Sequence, residues 1–197
     1  MSVHETMNYE TKQAIKKALL IQMEEVGFQR VTVKNLALTA NINRGTFYIH
    51  YQDKFEVMED LQQELLSGLE SYVKKVQPLE AFHTLQNGQL YQPFVVVIHF
   101  IKEHATAFRV ILGEQGSPDF SKRMKKVFSD ILLEKLSLIQ AEVLDPVFRQ
   151  YFQAFLTSAI LGVIQEWLES DDKDFNVEEL ATIHFRILRF FRHLTSL

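Results

Sequence analysis

Apolar residues recur along most of the chain at the three- and four-residue spacing of helices, and few segments show the two-residue alternation of half-buried strands. This pattern predicts helices over residues 9–26, 33–40, 44–50, 54–76, 79–87, 94–112, 118–144, 147–169 and 177–194. Gly27 is expected to end the first helix in a left-handed conformation. Thr32 and Asn43 are expected to cap the N-termini of the second and third helices. The chain is therefore predicted to be all-α.

The order of the predicted helices suggests two domains. Three N-terminal helices come first, a long connecting helix begins near residue 54, and a larger helical body follows. Four prolines stand where a helical pattern starts or stops: Pro78, Pro93, Pro118 and Pro146. We expect a first domain over residues 1–53 and a second over residues 54–197.

The composition excludes several classes of protein. The 197 residues are 47% hydrophobic and 12% aromatic, which excludes an intrinsically disordered chain. The absence of cysteine excludes disulfide scaffolds, zinc fingers, iron–sulfur clusters and thiol catalysis. The net charge of −4 hides an asymmetry, because residues 1–51 carry six basic and four acidic groups while the remainder carries 15 basic and 21 acidic groups. A weakly basic head on an acidic body indicates that only the head would meet a polyanion.

Signals for catalysis, membrane insertion and secretion are missing from the sequence. No phosphate-cradling glycine loop, Gly-x-Ser-x-Gly turn or His-Glu-x-x-His pair occurs, so we expect neither an enzyme nor a bound metal or cofactor. The longest apolar run, residues 94–98, is too short to cross a bilayer. The N-terminus has neither the basic nor the apolar region of a secretory signal. A cytoplasmic protein without a membrane partner is the expectation.

Residues 32–48 have the spacing of a helix-turn-helix, in which a second helix packs across a first after a tight turn. Its buried side would be formed by Leu36, Ala37, Ile42 and Phe47. Asn41 stands in the turn, where a residue that tolerates a positive φ angle is needed. Asn43 would satisfy the free amides at the start of the second helix and leave Arg44 and Thr46 projecting from its first turn.

The projecting side chains suit DNA, because in this motif the N-terminal part of the second helix enters the major groove. Arg44 would donate two hydrogen bonds to guanine or bind a phosphate. Thr46, Tyr48 and His50 would donate to phosphate oxygens. Other interpretations stay open, since such a helix pair is often purely structural. Tyr48 and Tyr51 are also candidates for the core, and His50 is also a candidate for an ordinary surface residue.

Four separated elements resemble the TetR family of bacterial transcriptional regulators: Gly27-Phe28, Val31-Thr32-Val33, Ile42-Asn43-Arg44-Gly45-Thr46-Phe47-Tyr48-Ile49-His50-Tyr51 and Asp53-Lys54. The resemblance covers roughly residues 10–60. It departs from the family at Asn41, where Gly is common, and at His50 and Tyr51, where Tyr and Phe are more common. The resemblance implies a homodimer whose two recognition helices bind a pseudo-palindromic DNA operator about one turn apart, usually as a repressor.

By position, the resemblance implies a set of nine DNA-contacting residues: Thr32, Lys34, Asn43, Arg44, Gly45, Thr46, Tyr48, His50 and Lys54. The first two would meet the DNA backbone from the start of the supporting helix. Arg44 and Thr46 would lie against base edges, where Gly45 permits a close approach. The last three would hold phosphates, with Lys54 at the start of the connecting helix.

The body holds most of the aromatic residues, which either line an effector cavity or pack the core and the dimer interface. In the TetR family the cavity draws on the connecting helix and on the helices predicted near 94–112 and 118–144. The inward-facing candidates for this pocket are Phe94, Ile98, Phe108, Met124 and Phe128. A small-molecule effector bound among them would move the connecting helix, separate the two heads and release the operator.

The last two long helices carry the predicted dimer interface. The candidates share an apolar or small-residue face of each helix: Tyr151, Phe155, Ser158 and Gly162 on the first, and Ile183, Ile187 and Phe190 on the second. The small members would allow another helix to approach closely. In the TetR family these helices pair with their symmetry mates as a four-helix bundle.

Residues 162–168 also resemble, loosely, the branch of the family related to dihydroxyacetone-kinase operon regulators. Some relatives of that branch answer to a protein partner instead of a small molecule. The alternative function is therefore a partner-dependent regulator or coactivator on the same scaffold, controlled by protein–protein interaction.

Overall fold

The computed structural model describes residues 3–77, 80, 81, 83, 84, 87, 89–113, 116–137, 145–170 and 176–194. Over these ranges the regular elements are helices and a short 3-10 turn, Phe28–Arg30, with no strand. The main helices are α1 (Val3–Val26), α2 (Val33–Thr39), α3 (Arg44–His50), α4 (Lys54–Val73), α5 (Gln92–Glu103), α6 (Ala105–Leu112), α7 (Pro118–Ser137), α8 (Pro146–Glu169) and α9 (Val177–Leu194). The predicted all-α fold class is confirmed.

Most helix bounds agree with the sequence pattern to within a few residues, but one predicted helix is divided. The helix expected over residues 94–112 consists of α5 and α6, which are separated at His104. The backbone of His104, with φ −110° and ψ 21°, leaves the α region. Its ring packs against that of Phe100, one turn earlier, with the centroids 4.5 Å apart.

Smaller differences affect the ends of the other helices. Helix α1 begins at Val3, earlier than expected, and α4 ends at Val73. Gly27 has the expected positive φ of 75°, but its ψ of 149° is extended instead of left-handed helical. The segments predicted over 79–87 and 138–144 lie partly or wholly outside the described residues.

The first of two compact units comprises residues 1–65 and 106–120. Its core includes the fully buried side chains of Ile15, Leu19, Leu36 and Phe47. Most of α6 belongs to this unit, in which the rings of Phe108 and Phe120 lie 6.0 Å apart. Arg109 on α6 forms an ion pair with Glu24 on α1 at 3.4 Å. This compact unit is larger than the domain expected over residues 1–53, and the functional division at residue 53 stays a prediction.

The second unit comprises residues 66–105 and 121–197. In it α5 packs against α9 around the buried side chains of Val95, Ile98, Val177, Leu180 and Ala181. Gly68 on α4 lies so close to the ring of Phe100 on α5 that a methyl group added at Gly68 would overlap this ring. The close packing of α4 and α5 therefore depends on a glycine.

Helix α8 is apolar along its length, yet much of it is exposed. By length and composition alone it would be long enough and apolar enough to cross a bilayer, although only 17% of its most apolar stretch is buried. The search for uninterrupted apolar runs in the sequence did not identify this helix, because polar residues interrupt its apolar stretches. A helix at the interface of a soluble oligomer has the same properties, so this finding alone does not indicate a membrane.

Candidate nucleic-acid interface

Both helices of the helix-turn-helix begin at a side chain that accepts a backbone hydrogen bond. The hydroxyl oxygen of Thr32 accepts from the backbone N of Asn35 at 3.2 Å. Asn43 Oδ1 accepts from the backbone N of Thr46 at 2.7 Å. Between the helices Asn41 has a φ angle of 54°, in the left-handed region that Asn tolerates better than most residues. The caps and the turn predicted from the sequence are confirmed.

The packed side of the motif holds α3 in place. Leu36, Ala37 and Phe47 are buried, as expected, and Ile42 is half-buried. The small side chain of Ala37 allows α2 and α3 to approach closely. Because α3 has only seven residues, this packing and the Asn43 cap stabilise it more than helix propensity does.

Arg44, Gly45 and Tyr48 lie on the outside of α3. Nη2 of the exposed Arg44 lies 3.4 Å from Tyr48 Oη, and the guanidinium lies 6.0 Å from the centre of the Tyr48 ring. This pairing orients the guanidinium along the helix and leaves most of its five N–H donors for another acceptor. A methyl group added at Gly45 would meet Asn43 Oδ1 at 3.1 Å and no other nearby atom, so the backbone is open. An exposed arginine beside open backbone suits the recognition of base edges.

Four other predicted contacts lie on the same two helices. Thr32 and Lys34 are exposed at the start of α2, and Thr46 and His50 are half-buried on α3. Burial lowers the pKa of His50 and the nearby charge of Lys12 lowers it further, so the imidazole is neutral at pH 7. A neutral imidazole still offers one N–H donor to a phosphate oxygen. The contacts of these residues with DNA stay predictions.

Lys54 is the remaining predicted contact, and it has other partners in this structure. Its Nζ donates to the carbonyl oxygens of Phe28 at 2.9 Å, Gln29 at 2.9 Å and Val31 at 3.0 Å. A lysine ammonium has three donors, so these bonds use all of them. The phosphate contact expected for Lys54 therefore competes with three carbonyl contacts and stays a prediction. In this structure Lys54 ties the start of α4 to the turn that precedes α2.

A polar cluster that sequence reasoning missed links α1, Tyr51 and α4. Tyr51 Oη donates to Asp60 Oδ2 at 2.6 Å, and Lys16 Nζ lies 3.0 Å from the same oxygen. Lys16 Nζ also donates to Glu64 Oε2 at 2.5 Å. Burial raises the pKa of Tyr51, and the hydrogen bond to Asp60 raises it further. Burial also raises the pKa of Asp60, but the hydrogen bonds from Tyr51 and Lys16 lower it by more, so it lies below its ordinary value.

Tyr51 is buried, which confirms the interpretation that placed it in the core. Two other large apolar residues of the helix-turn-helix are instead exposed, and no role was predicted for them from the sequence. Leu38 on α2 is 76% exposed and Ile49 on α3 is 77% exposed. Ile49 follows Gly45 by about one helical turn, so the two residues share a side of α3. An uncovered apolar side chain on that side suits contact with a thymine methyl group.

Two family models match this chain. A TetR model described as the transcriptional regulator C-terminal region matches residues 88–189, which is more than half of the chain. A second model, described as bacterial regulatory proteins of the tetR family, matches residues 15–61. The chain belongs to the TetR family. Members of this family are DNA-binding transcriptional regulators and not enzymes.

Individual relatives agree with this assignment. The chain is 26% identical over 159 residues to the uncharacterized HTH-type transcriptional regulator YxbF of Bacillus subtilis. The match covers 80% of this chain and 39% of YxbF, so the chain spans about two fifths of that relative's length. The similarity therefore carries no information about the activity or partners of the rest of YxbF.

Solved structures share the fold of this TetR-family protein at low identity. A TetR-family regulator from Syntrophomonas wolfei has a TM-score of 0.63 and 15% identity, over 93% of this chain and 95% of that one. A TetR regulator from Streptococcus agalactiae has a TM-score of 0.61 and 21% identity, over 94% and 97% of the two chains. The dihydroxyacetone kinase operon activator DhaS has a TM-score of 0.55 and 15% identity, over 92% and 95%.

The second unit of this TetR-family protein contains an apolar cleft of about 100 Å³. It is lined by Val73, Val76, Phe94, Val97, Phe128, Ile131, Lys135 and Ile160. Two of the five residues predicted for a pocket, Phe94 and Phe128, lie in this wall. Ile98 and Met124 are instead buried, Ile98 in the cluster with α9, and Phe108 is buried in the first unit. Helical spacing identified their apolar face but not what that face packs against.

The predicted dimer faces of the TetR-family protein are largely uncovered. Among the candidates, Tyr151, Phe155, Ser158, Gly162 and Ile187 are exposed and Ile183 is half-buried. The side chain of Phe190 lies outside the described residues. Nothing lies within 4 Å of a methyl group added at Gly162, so this part of α8 is open within the chain. In the ranges that the structure describes, no group of three or more His, Asp or Glu side chains could hold a metal ion.

Proposed function

We propose that this regulator binds a palindromic DNA operator as a homodimer, represses the adjacent genes in the cytoplasm, and releases the DNA when a small molecule binds its body. The observation that carries the proposal is the capped helix α3, which presents Arg44 and the open backbone at Gly45. In this proposal residues 1–53 form the DNA-binding domain. Residues 54–197 form the effector-binding and dimerisation domain.

The exposure of the helix-turn-helix residues supports a division of labour on DNA. Arg44 reads a guanine through two hydrogen bonds, and Thr46 contacts a neighbouring base edge. Thr32 and Lys34 bind the backbone from the start of α2, which fixes the register of the head on the duplex. Tyr48 and His50 bind phosphates, and Asn43 orients the contacts on α3 because it caps that helix.

The uncovered faces of α8 and α9 support dimerisation through these helices. Large apolar side chains such as Tyr151, which is 70% exposed, are costly to leave in water. A second copy related by a twofold axis would cover the same residues on both chains. The two recognition helices would then meet two inverted half-sites, which explains the expectation of a palindrome.

The cleft supports control by a small molecule. Its walls are apolar and lie in the second unit, outside the compact unit that contains the helix-turn-helix. A molecule that binds one conformation of this unit more tightly than another shifts the population of the two, and this is the general requirement for effector control. The proposed outcome of that shift is loss of operator binding.

The deciding experiment is selection of binding sites from random duplex DNA by the purified full-length protein at near-physiological salt. The proposal expects enrichment of an inverted repeat whose half-sites lie about one helical turn apart. Arg44→Ala is expected to cost about 1–3 kcal/mol of operator binding and to remove discrimination at one base position. Lys122→Ala, at an exposed position of α7 in the other unit, is the matched control and should bind as wild type.

Two outcomes would contradict the proposal. Equal weakening of Arg44→Ala on every sequence would show that Arg44 does not read bases. Failure of the folded, dimeric protein to enrich any sequence would favour the alternative of a partner-dependent regulator or coactivator. A pull-down from cell extract followed by selection with the recovered partner would then be the test of that alternative.

A further inference from the structure

We propose that the effector of this regulator is a small amphiphilic carboxylate, whose apolar part fills the cleft and whose carboxylate meets the ammonium of Lys135. The inference rests on the proposed control of DNA binding by an effector and adds the chemical class of that effector. It starts from the wall of the cleft, to which seven apolar side chains and one lysine contribute.

The apolar part of the wall comes from four segments of the second unit. Val73 ends α4 and Val76 lies three residues beyond it. Phe94 and Val97 lie on α5, Phe128 and Ile131 on α7, and Ile160 on α8. A cleft of about 100 Å³ with this lining holds roughly four methylene-sized groups, so it favours the first part of an alkyl chain over a larger polycyclic molecule. Each methylene group that such a wall buries tightens binding by about fourfold.

The positive charge of Lys135 in the wall favours an anionic ligand. Lys135 lies half-buried in the last turn of α7, and among the residues that the structure describes no acidic side chain contributes to the lining. A lysine in such a wall packs its alkyl stem against apolar surface and keeps its ammonium at the solvent edge. The two lysines that follow α4 are engaged elsewhere: Lys74 pairs with Glu70 at 2.7 Å, and Lys75 lies over the ring of Tyr72. Lys135 is thus the cation that the cleft offers to a bound carboxylate.

The protein carries its own reporter of binding in the cleft. Trp167 is the only tryptophan in the sequence. It packs with Phe94 against the buried cluster that joins α5 and α9. Because Phe94 also lines the cleft, a ligand that moves its ring changes the surroundings of Trp167. Tryptophan fluorescence therefore follows binding to the second unit without any DNA.

The experiment titrates the full-length protein with octanoate, octanol and octylamine, which share one chain and differ in the charge of the head. Octanoate is expected to bind about two- to fivefold more tightly than octanol, and octylamine more weakly than either. Butanoate is expected to bind more weakly than hexanoate, whereas hexanoate and octanoate should bind about equally, because the cleft holds only roughly four methylene-sized groups. Isothermal titration calorimetry supplies the stoichiometry, which should be one carboxylate per chain.

Two variants locate the charge. Lys135→Met keeps the alkyl stem, so it is expected to bind octanol as wild type does and to lose the preference for octanoate. Lys122→Met, also on α7 but not in the lining, is expected to keep that preference. Equal binding of octanoate and octanol by the wild type would overturn the proposal, as would a preference that survives in Lys135→Met or an absence of binding by every probe.

Operator binding in the presence of octanoate separates this inference from the proposed function. Octanoate that binds with the expected preference but leaves the operator complex intact would uphold the site and reject effector-controlled release. Release of the operator by octanol and octanoate at equal concentrations would uphold effector control and reject the role of Lys135.

Discussion

The substitution Lys54→Met distinguishes two roles for this lysine, which are binding a DNA phosphate and holding the start of α4 against the turn before α2. The family pattern makes Lys54 a phosphate ligand, whereas the structure directs its three donors to backbone carbonyls. The start of α4 also carries a carboxylate, since Asp53 Oδ1 accepts from the backbone N of Phe55 at 2.8 Å. This negative charge disfavours a phosphate at the same place. We therefore expect the substitution to affect the stability of the head and not the number of phosphates bound.

The size of the effect follows from the burial of the three bonds. The bonds to Phe28 and Val31 are partly buried, and the bond to Gln29 is exposed. Each partly buried bond contributes about 1 kcal/mol net, so their loss lowers the free energy of unfolding by about 2 kcal/mol. Methionine keeps an unbranched side chain but also removes the ammonium that lies 4.9 Å from the ring centre of Phe28 and 5.5 Å from that of Phe55, so these contacts add to the loss. In a protein of this size 2 kcal/mol lowers the melting temperature by roughly 4–8 °C.

The assay combines urea unfolding with operator binding at a series of salt concentrations. Each phosphate contact contributes about 0.9 to the slope of log affinity against log salt concentration. Lys34→Met, at an exposed position of α2, is the matched variant and is expected to reduce the slope by about one at unchanged stability. Lys54→Met is expected to reduce stability at an unchanged slope. Wild-type stability together with a slope reduced by one would refute the argument and make Lys54 a phosphate ligand.

Three further substitutions test other parts of the molecule. Because the pKa of Tyr51 is raised in the folded protein, its hydroxyl contributes stability below about pH 10 that is lost as the pH rises further. Tyr51→Phe removes the bond to Asp60, so it should lower the free energy of unfolding in urea at pH 7 by about 1–2 kcal/mol and weaken the loss of stability at alkaline pH. An unchanged dependence of stability on pH would exclude this role of the Tyr51 hydroxyl. Gly68→Ala should cost about 1–3 kcal/mol because the methyl group overlaps the Phe100 ring, and wild-type thermal stability would contradict this packing. Phe155→Glu should give monomers in analytical ultracentrifugation, whereas a stable dimer that binds the operator would disprove the assigned interface.

The local features of the head could be predicted from the sequence because their causes lie within a few residues. The cap of Asn43 reaches Thr46, three positions along the chain, and the turn at Asn41 depends on the side chain of that residue alone. The burial of Leu36 and Phe47 follows from helical spacing within one short motif. These interactions require no knowledge of the rest of the fold.

The features that were missed depend on contacts between distant parts of the chain. Lys16 and Asp60 each stand on a helix at ordinary spacing, and their pairing exists because α1 and α4 pack together. Phe108 lies on an apolar face, yet only the tertiary structure places that face in the first unit, apart from the cleft.

Asn43 apart, the residues that fix α3 differ from the residues that would meet DNA, so stability and specificity depend largely on different side chains. Asn43 and Phe47 determine where the helix begins and which side it buries. Arg44 and Gly45 make few contacts within the chain, so the fold places little constraint on their identity. A change at Arg44 should therefore alter the operator without altering the head. A change at Asn43 should instead weaken binding to every operator, because about 1 kcal/mol of cap energy is lost from the helix that presents Arg44, Thr46, Tyr48 and His50.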